Sequence, residues 1–222
     1  MRASQHLNHR VKKYSTLLLG TLAAFGVSAA TAVADGITIT DVTGHQVTLD
    51  APAERVILGE GRQIYLLGLL EPQDPFAHVV GWREDFAQAD PDNYARYLER
   101  FPKIEAIPTF GGFKDGTFDV EQAASLNPDV VLMNIEAKAA TEDAAYDEKL
   151  AQLGIPIVYV DFREDPIAHT IPSMRIIGQI MGDEEKAEAF IDFAESELAR
   201  VTDVIAEANP ERPSVFIDRA GG

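Results

Sequence analysis

Arginine residues recur in this sequence where short apolar runs end. Five runs are apolar without polar alternation, which is typical of strands buried on both faces of a parallel sheet. Three of the five segments that follow these runs carry an arginine, namely Arg62, Arg83 and Arg163. Ligands of parallel α/β sheets bind outside the carboxyl ends of the strands. The pattern therefore predicts that the three arginines converge on one rim and bind an anionic ligand there.

Aromatic and amide side chains accompany the arginines. Tyr65 lies one helical turn into the element after the first run, and Asn134 directly follows another run. The aromatic residues of the same segments are Trp82, Phe86, Phe110, Phe113 and Phe162. Rings and guanidinium groups together favour a bulky, partly aromatic anion. The alternative is that each arginine pairs with a surface acid such as Glu60, Glu84 or Glu164, and for a single arginine the sequence favours neither interpretation.

No set of catalytic groups is recognisable. The sequence contains neither a G-x-S-x-G motif nor a G-x-x-x-x-G-K-[ST] phosphate loop. It has no cysteine, which excludes disulfides, thiolate metal sites and cysteine nucleophiles. Because these motifs and nucleophiles are missing, we expect no catalytic residues. The histidines that follow the N-terminal segment, His45, His78 and His169, lack the spacing of metal ligands, so we expect no metal site. An α/β enzyme whose catalytic residues lie outside this sequence is kept as an alternative.

The distribution of charge separates the first 34 residues from the rest. The 222-residue chain carries 36 acidic and 19 basic residues, a formal charge of −17, which argues against nucleic acid as a partner. Residues 1–34, by contrast, contain four basic residues, no acid, a weakly polar run at 17–30 and small residues before Asp35. This pattern predicts a secretory signal peptide over 1–34 and therefore a periplasmic protein. Because no cysteine follows the run, we do not expect a lipoprotein anchor.

The remaining patterns predict an α/β lobe over residues 35–182. Alternating stretches at 37–42 and 46–49 predict an exposed edge hairpin. The buried runs lie at 55–58, 78–82, 104–107, 129–133 and 156–160, and helical periodicities lie at 63–70, 120–126, 143–153 and 171–181. Strands that alternate with helices indicate a mainly parallel sheet with right-handed crossovers. The predicted lobe is therefore Rossmann-like, and it carries the ligand site.

The longest periodic segment predicts a helix over residues 183–209. Its apolar residues form one stripe from Ala187 to Ala208, spaced alternately four and three apart. Such a helix suits either packing on one domain or bridging two lobes. Pro210 and Pro213 end it, and residues 214–218 are a strand candidate. We expect residues 210–222 to begin a second α/β lobe that this sequence does not complete.

The order of these parts resembles the periplasmic substrate-binding proteins of ABC importers for ferric siderophores, haem and cobalamin, the class III type with a helical backbone. The resemblance rests on the hairpin, the strand and helix at 55–70, the segment 118–132 with its L-x-P-D-V-V pattern, residues 153–160 and the long helix. It implies a monomeric, non-enzymatic protein without a cofactor that delivers a ferric siderophore to a permease in the inner membrane. It also implies that Glu121 docks on that permease, whereas the sequence alone favours an ordinary acid near a helix N-terminus.

Haem or cobalamin is the alternative ligand within this family. Haem-binding relatives offer tyrosine or histidine to the iron, and Tyr65 is the candidate here. Cation-specific relatives use histidine and carboxylate ligands, which the strand ends lack, so an anionic ferric siderophore is the preferred ligand. A sensory or adhesion domain is a further alternative. The predicted ligand-binding residues, with Trp82 at the rim, are Arg62, Tyr65, Trp82, Arg83, Phe113, Asn134 and Arg163.

Overall fold

The computed structural model of the protein describes residues 36–216, so the predicted signal peptide at 1–34 lies outside the described residues. The strands are β1 (Ile37–Thr40), β2 (Gln46–Leu49), β3 (Val56–Leu58), β4 (Val79–Arg83), β5 (Thr109–Phe110), β6 (Val130–Asn134) and β7 (Ile157–Val160). The α-helices are α1 (Ile64–Leu70), α2 (Phe86–Ala89), α3 (Pro91–Arg100), α4 (Val120–Ser125), α5 (Lys138–Asp143), α6 (Tyr146–Gln152), α7 (Pro166–Met181) and α8 (Glu184–Ala208).

A five-stranded parallel sheet forms the centre of the lobe, in the order β5-β4-β3-β6-β7. Every residue of β3, β6 and β7 is buried, as apolar runs without alternation predict for strands covered on both faces. The chain leaves β3 toward β4 on one side and later returns to β6 on the other. The carboxyl ends of β3 and β6 therefore flank a topological switch point, where α/β sheets bind ligands. The α/β fold with a mainly parallel sheet is confirmed.

The predicted hairpin forms as an antiparallel pair, with Ile37 opposite Leu49. The hairpin is attached to the five-stranded sheet, because its turn covers the outer edge of β7. Val42 N donates to Tyr159 O at 3.3 Å, and Tyr159 N donates to the buried carboxylate of Asp41 at 3.1 Å. The same carboxylate accepts the backbone N–H of Thr43 at 2.9 Å. One buried aspartate thus closes the turn and attaches the hairpin to the sheet.

Two predictions of local structure are wrong. Residues 104–107 are not a strand, because Pro102–Ala106 forms a 3-10 turn that buries Ile104, and the strand follows at Thr109–Phe110. Residues 143–153 are not one helix, because Ala145 adopts a left-handed backbone conformation with φ 54° between α5 and α6. Both errors arise where an apolar spacing suits a turn as well as a regular element.

The sequence-based prediction missed one helix and the start of another because each begins with a proline. The sequence did not predict α3, which begins at Pro91, and placed the start of α7 at residue 171 instead of Pro166. A proline at the first helical position loses no helical hydrogen bond, since that N–H has no acceptor within the helix. The caps are Asp90 and Asp165, whose side chains accept N–H groups three residues later at 3.3 and 3.1 Å.

The long helix α8 is confirmed, and it packs on the lobe through its first turns only. A Cβ added to Gly178 of α7 would lie 2.5 Å from the Ala187 Cβ, so the two helices are in close contact there. From Phe193 onward the large apolar side chains of α8 are exposed, including Val201 at 53%. The described part of the strand candidate, 214–216, forms no strand, and the second lobe remains a prediction. No helix within 36–216 has both the length and the apolar character needed to span a membrane.

Candidate functional site

A buried glutamate organises the carboxyl end of the sheet. Glu60 lies two residues beyond β3 and is only 4% exposed. Its backbone N–H donates to Gln63 Oε1 at 3.1 Å, which fixes the turn that leads into α1. A carboxylate buried to this degree requires charged or hydrogen-bonding partners.

Three predicted site residues supply those partners. Arg163 Nη1 donates to Glu60 Oε2 at 3.0 Å, and the Asn134 amide donates to the same oxygen. Arg62 Nη2 lies 2.5 Å from Glu60 Oε1, an ionic contact without the angle of a hydrogen bond. Gln63 Nε2 donates to Asn134 Oδ1 at 3.2 Å and so completes the group. The last residue of β6 and the segments after β3 and β7 thus meet at one carboxylate that was not predicted as a site residue.

Further charges surround this group. Arg163 Nη1 also donates to Glu136 Oε1 at 2.8 Å, and Lys114 Nζ lies 3.7 Å from the same oxygen. Arg83 Nη1 is 3.6 Å from Asp85 Oδ2. Burial opposes the charged form of Arg163, but the bond to Glu60 and the nearby carboxylates raise the pKa of the guanidinium. The interpretation that the arginines pair with local acids therefore holds for each of them, although Glu84 and Glu164 are not the partners.

Both signs of charge meet at this edge. The cations are Arg62, Arg83, Lys114 and Arg163, and the acids near them are Glu60, Asp85, Asp115 and Glu136, with the exposed Glu84 beside Asp85. The edge therefore carries no excess of positive charge, in a chain whose formal charge is −17. The side chains of the three arginines remain between 28 and 36% exposed.

A shallow depression borders the network at Glu60, Asn134 and Glu136. Its polar lining comes from Glu60, Arg83, Lys114, Asn134 and Glu136. Phe113 contributes to its wall, but the ring is 3% exposed and stacks on Phe118 at 3.9 Å between centroids. The depression therefore offers a polar floor with both signs of charge.

The prediction that Trp82 lies at the rim is wrong. The indole is 3% exposed and packs against Phe76 and Phe86, with centroid distances of 5.4 and 5.7 Å. Its Nε1–H is buried without a hydrogen-bond partner in the described residues. Phe110 and Phe113 are buried as well. Because their segments turn these rings toward the helices that cover the sheet, the predicted rim aromatics form core beside the site.

Tyr65 does not line the depression, and its hydroxyl is engaged in a hydrogen bond elsewhere. Its hydroxyl donates to Asp90 Oδ2 at 2.5 Å, and its ring lies edge-on to Phe86 at 5.5 Å. Burial and the bond to Asp90 raise the pKa of Tyr65 to about 12. The hydroxyl is therefore protonated at neutral pH and engaged with a carboxylate, which does not suit a tyrosinate ligand for haem iron.

The loop that carries Arg163 is held by a second buried carboxylate. Asp161, 1% exposed, accepts the backbone N–H groups of Arg163, Glu164 and Asp165 at 2.8–3.0 Å. His169 Nδ1 lies 2.7 Å from the same carboxylate. Burial alone would raise the pKa of Asp161, but these hydrogen bonds lower it to about 2.

Asp161→Asn is expected to remove acid-sensitive stability. The lowered pKa stabilises the fold by about 2 kcal/mol above pH 4, and this contribution is lost as the pH falls from about 4 through 2. Urea unfolding at several pH values should show the variant less stable than the wild type at pH 7, with a difference that shrinks toward pH 2. Asp92→Asn, at an exposed position of α3, serves as the control. A constant difference at every pH would contradict this role of Asp161.

Sequence reasoning missed Glu60, Lys114 and Glu136 as site residues. All three lie in the segments that follow strands, so their position along the chain was available. Nothing in the pattern of residues distinguishes an acid that will be buried from one that will be solvated. Among residues 36–216, no three histidine, aspartate or glutamate side chains are arranged to hold a metal ion. Glu121 lies exposed in the first turn of α4, away from these contacts.

Comparison with known proteins identifies the family. The family model described as "Periplasmic binding protein" matches residues 85–222. A curated relative, the uncharacterized ABC transporter substrate-binding lipoprotein YvrC of Bacillus subtilis, is 25% identical over 186 residues, which cover 82% of this chain and 52% of YvrC. The solved TroA-like periplasmic binding protein FepB of Veillonella parvula is 31% identical with a TM-score of 0.72, over 80% of this chain and 51% of FepB.

More distant structures share the fold alone. MolA of Haemophilus influenzae, solved with molybdate, is 17% identical with a TM-score of 0.57 over 72% of this chain and 52% of MolA. The siderophore-binding protein BauB, solved with acinetobactin and ferric iron, is 18% identical with a TM-score of 0.56 over 80% and 56%. This chain spans about half the length of the relatives it matches. The predicted resemblance is confirmed, and the chain belongs to the periplasmic binding protein family, a family of substrate-binding proteins of ABC transporters.

Proposed function

We propose that this chain forms a lobe of a periplasmic solute-binding protein that captures an anionic iron chelate, a ferric siderophore, for an ABC importer. The observation that carries the proposal is the convergence of Arg62, Arg83 and Arg163 at the carboxyl ends of the parallel strands. Anionic ligands of α/β sheets bind at this edge, and guanidinium groups bind carboxylate and phenolate oxygens in a fixed geometry.

Glu60 prepares the arginines for an anion. Its Oε1 contacts Arg62 and its Oε2 contacts Arg163, so both side chains are already positioned and lose little entropy when a ligand contacts them. An anionic ligand can replace the more exposed Glu136 as the second partner of Arg163, while the buried Glu60 stays in place. Iron that arrives already chelated needs no protein ligand, and the depression offers arginine, lysine and amide donors beside its two glutamates. BauB, a fold relative, binds iron as such a chelate.

Fluorescence of Trp82 tests the proposal. It is the only tryptophan of the chain, and it lies one strand residue before Arg83. Ferric siderophores that carry free carboxylates should quench its emission with saturation. Arg62→Gln combined with Arg163→Gln should weaken binding by about tenfold or more, since a hydrogen bond to a charged group contributes about 1.5–3 kcal/mol. Arg200→Gln, on the exposed part of α8, should bind like the wild type. No saturable response to any ferric siderophore would reject the proposal.

Haem, cobalamin and molybdate are titrated in the same way for comparison. Haem that is bound with an iron–tyrosinate absorbance band, lost in Tyr65→Phe, would replace the siderophore assignment. Tight binding of molybdate that depends on the same arginines would replace the siderophore with a small oxyanion as the assigned ligand.

Delivery to a permease is the second part of the proposal, and Glu121 is its docking residue. The carboxylate is exposed on the first turn of α4 and makes no ion pair among the described residues. Because the chain lacks cysteine, Glu121→Cys provides a unique thiol for a photo-crosslinker, and Glu148→Cys on α6 provides an exposed control. With membranes of the source organism, we expect an adduct with an ABC permease subunit, identified by mass spectrometry, from position 121 only. Equal adducts from both positions would reject this docking residue.

A periplasmic location is the third part of the proposal, and it rests on the signal-peptide pattern of residues 1–34. Cell fractionation with N-terminal sequencing should find the mature protein in the periplasm, beginning at Asp35. A protein that keeps Met1 and stays in the cytoplasm would contradict it.

A further inference from the structure

A second cavity lies on the side of the lobe, between α1, the loop that follows it and α3. It has a volume of about 290 Å³, at the lower end of small-molecule sites. We call it the α1–α3 cavity, and its residues relevant here are Gly68, Pro75, Arg96, Tyr97, Arg100 and Phe101. None of them belongs to the strand-end network.

Two arginines of this cavity have no acidic partner in the described part of the chain. Arg96 and Arg100 are one helical turn apart on α3, so their side chains are neighbours on the same helix face. No carboxylate between residues 36 and 216 comes within 4 Å of either guanidinium. Arg100 contacts neutral groups instead, the Phe101 ring at 5.2 Å and the Pro72 carbonyl at 3.5 Å.

Two acids of the loop beside the cavity are already engaged. Asp74 pairs with Lys103 at 2.5 Å, and Glu71 pairs with Lys186 at 2.8 Å. Both acids belong to the loop that forms one wall of the cavity. Asp92 and Glu99 of α3 are exposed and make no ion pair with the arginines within residues 36–216, so both guanidinium groups are available to an anion.

Gly68 keeps the cavity open at a cost to its helix. It lies inside α1, where glycine is less favourable than alanine by about 1 kcal/mol. A Cβ at this position would meet Tyr97 Oη at 3.4 Å and Pro75 Cγ at 3.6 Å, which are ordinary contact distances. Neither backbone conformation nor close packing therefore requires glycine here. The space that its missing side chain leaves belongs to the α1–α3 cavity.

We propose that the α1–α3 cavity binds a small aromatic carboxylate. Two guanidinium groups supply the charge for a carboxylate, which arginine binds with paired N–H donors. The rings of Tyr97 and Phe101 and the prolines supply an apolar surface that suits a flat ring. The site is independent of the strand-end network and of the function proposed for it.

Titration with benzoate and 1-naphthoate, followed by NMR of the arginine side-chain N–H groups, tests the inference. Shifts should saturate and map to Arg96, Arg100 and the Tyr97 ring. Benzamide, a neutral analogue, should bind at least tenfold more weakly, and inorganic phosphate should not compete at equal concentration. Shifts that map elsewhere, or equal binding of benzamide, would overturn the proposal.

Variants distinguish the contribution of the arginine charges from that of the space beside Gly68 and from an effect on folding. Arg96→Gln with Arg100→Gln should weaken naphthoate binding by at least tenfold, while Arg200→Gln with Arg212→Gln removes the same charge elsewhere and should leave it within twofold. Gly68→Ala should weaken binding severalfold and raise the urea midpoint of unfolding, so that the loss cannot be ascribed to a damaged fold. Unchanged affinity in either cavity variant would overturn the proposal.

Discussion

Glu60→Ala should destabilise the lobe and disperse the arginines of the site. Removal of the carboxylate leaves Arg62, Arg163 and the Asn134 amide without their common partner. Loss of one member of a buried ion pair costs about 3–5 kcal/mol, and we expect about 2–3 kcal/mol here because both guanidinium groups are partly exposed. Urea unfolding at pH 7 measures the loss.

Two further variants make the test specific to the charge. Glu60→Gln keeps an oxygen for Asn134 but no charge, so it should recover part of the stability and still weaken binding of an anionic chelate, because the arginines lose their fixed positions. Glu84→Ala removes an exposed acid from the same edge and should change stability by less than about 0.5 kcal/mol. Equal effects of Glu60→Ala and Glu84→Ala would show that Glu60 does not organise the site.

Phe86→Ala should be the most destabilising single truncation beside the site. The side chain is 1% exposed and lies at the centre of an aromatic cluster. Four rings contact it, with centroids 5.5–5.8 Å away: Tyr65, Trp82, Tyr94 and Tyr97. Truncation of a buried phenylalanine to alanine costs about 3–5 kcal/mol through lost burial and the resulting cavity. Urea unfolding followed by far-UV circular dichroism measures the change.

Phe193→Ala is the matched control, since this ring of α8 is 63% exposed. Its stability should change by less than about 0.5 kcal/mol. Phe86→Leu should fall between wild type and Phe86→Ala, because it retains most of the apolar volume. A loss below 1 kcal/mol for Phe86→Ala would mean that the aromatic cluster does not support the site.

The sequence predicted the sheet well because its strands are buried on both faces. Such strands leave long apolar runs, and β3, β6 and β7 lie within one residue of the predicted positions. The two-residue strand β5 left no comparable signal, since a neighbouring 3-10 turn buries Ile104 in the same way. Periodicity thus identifies burial, and it does not identify the backbone conformation of a short segment.

The location of the candidate site was predictable from the sequence, and its residues were predictable only in part. The rule that ligands bind at the carboxyl ends of strands brought Arg62, Arg83, Asn134 and Arg163 to one edge. The same rule placed Trp82 there wrongly, because a residue at a strand end can point into the core as readily as outward. Glu60 was missed because its burial depends on partners from β6 and β7, which are distant in sequence.

Paramagnetic NMR with ferric citrate tests most directly whether an anionic iron chelate binds at the strand ends. The high-spin iron broadens nearby amide signals, and gallium citrate of the same charge provides the diamagnetic reference. We predict the strongest broadening at the amides of residues 60–63, 83–85, 134–136 and 161–164, and its loss in Arg62→Gln with Arg163→Gln. Broadening that is strongest elsewhere, including the α1–α3 cavity, or that persists in this double variant would contradict the account.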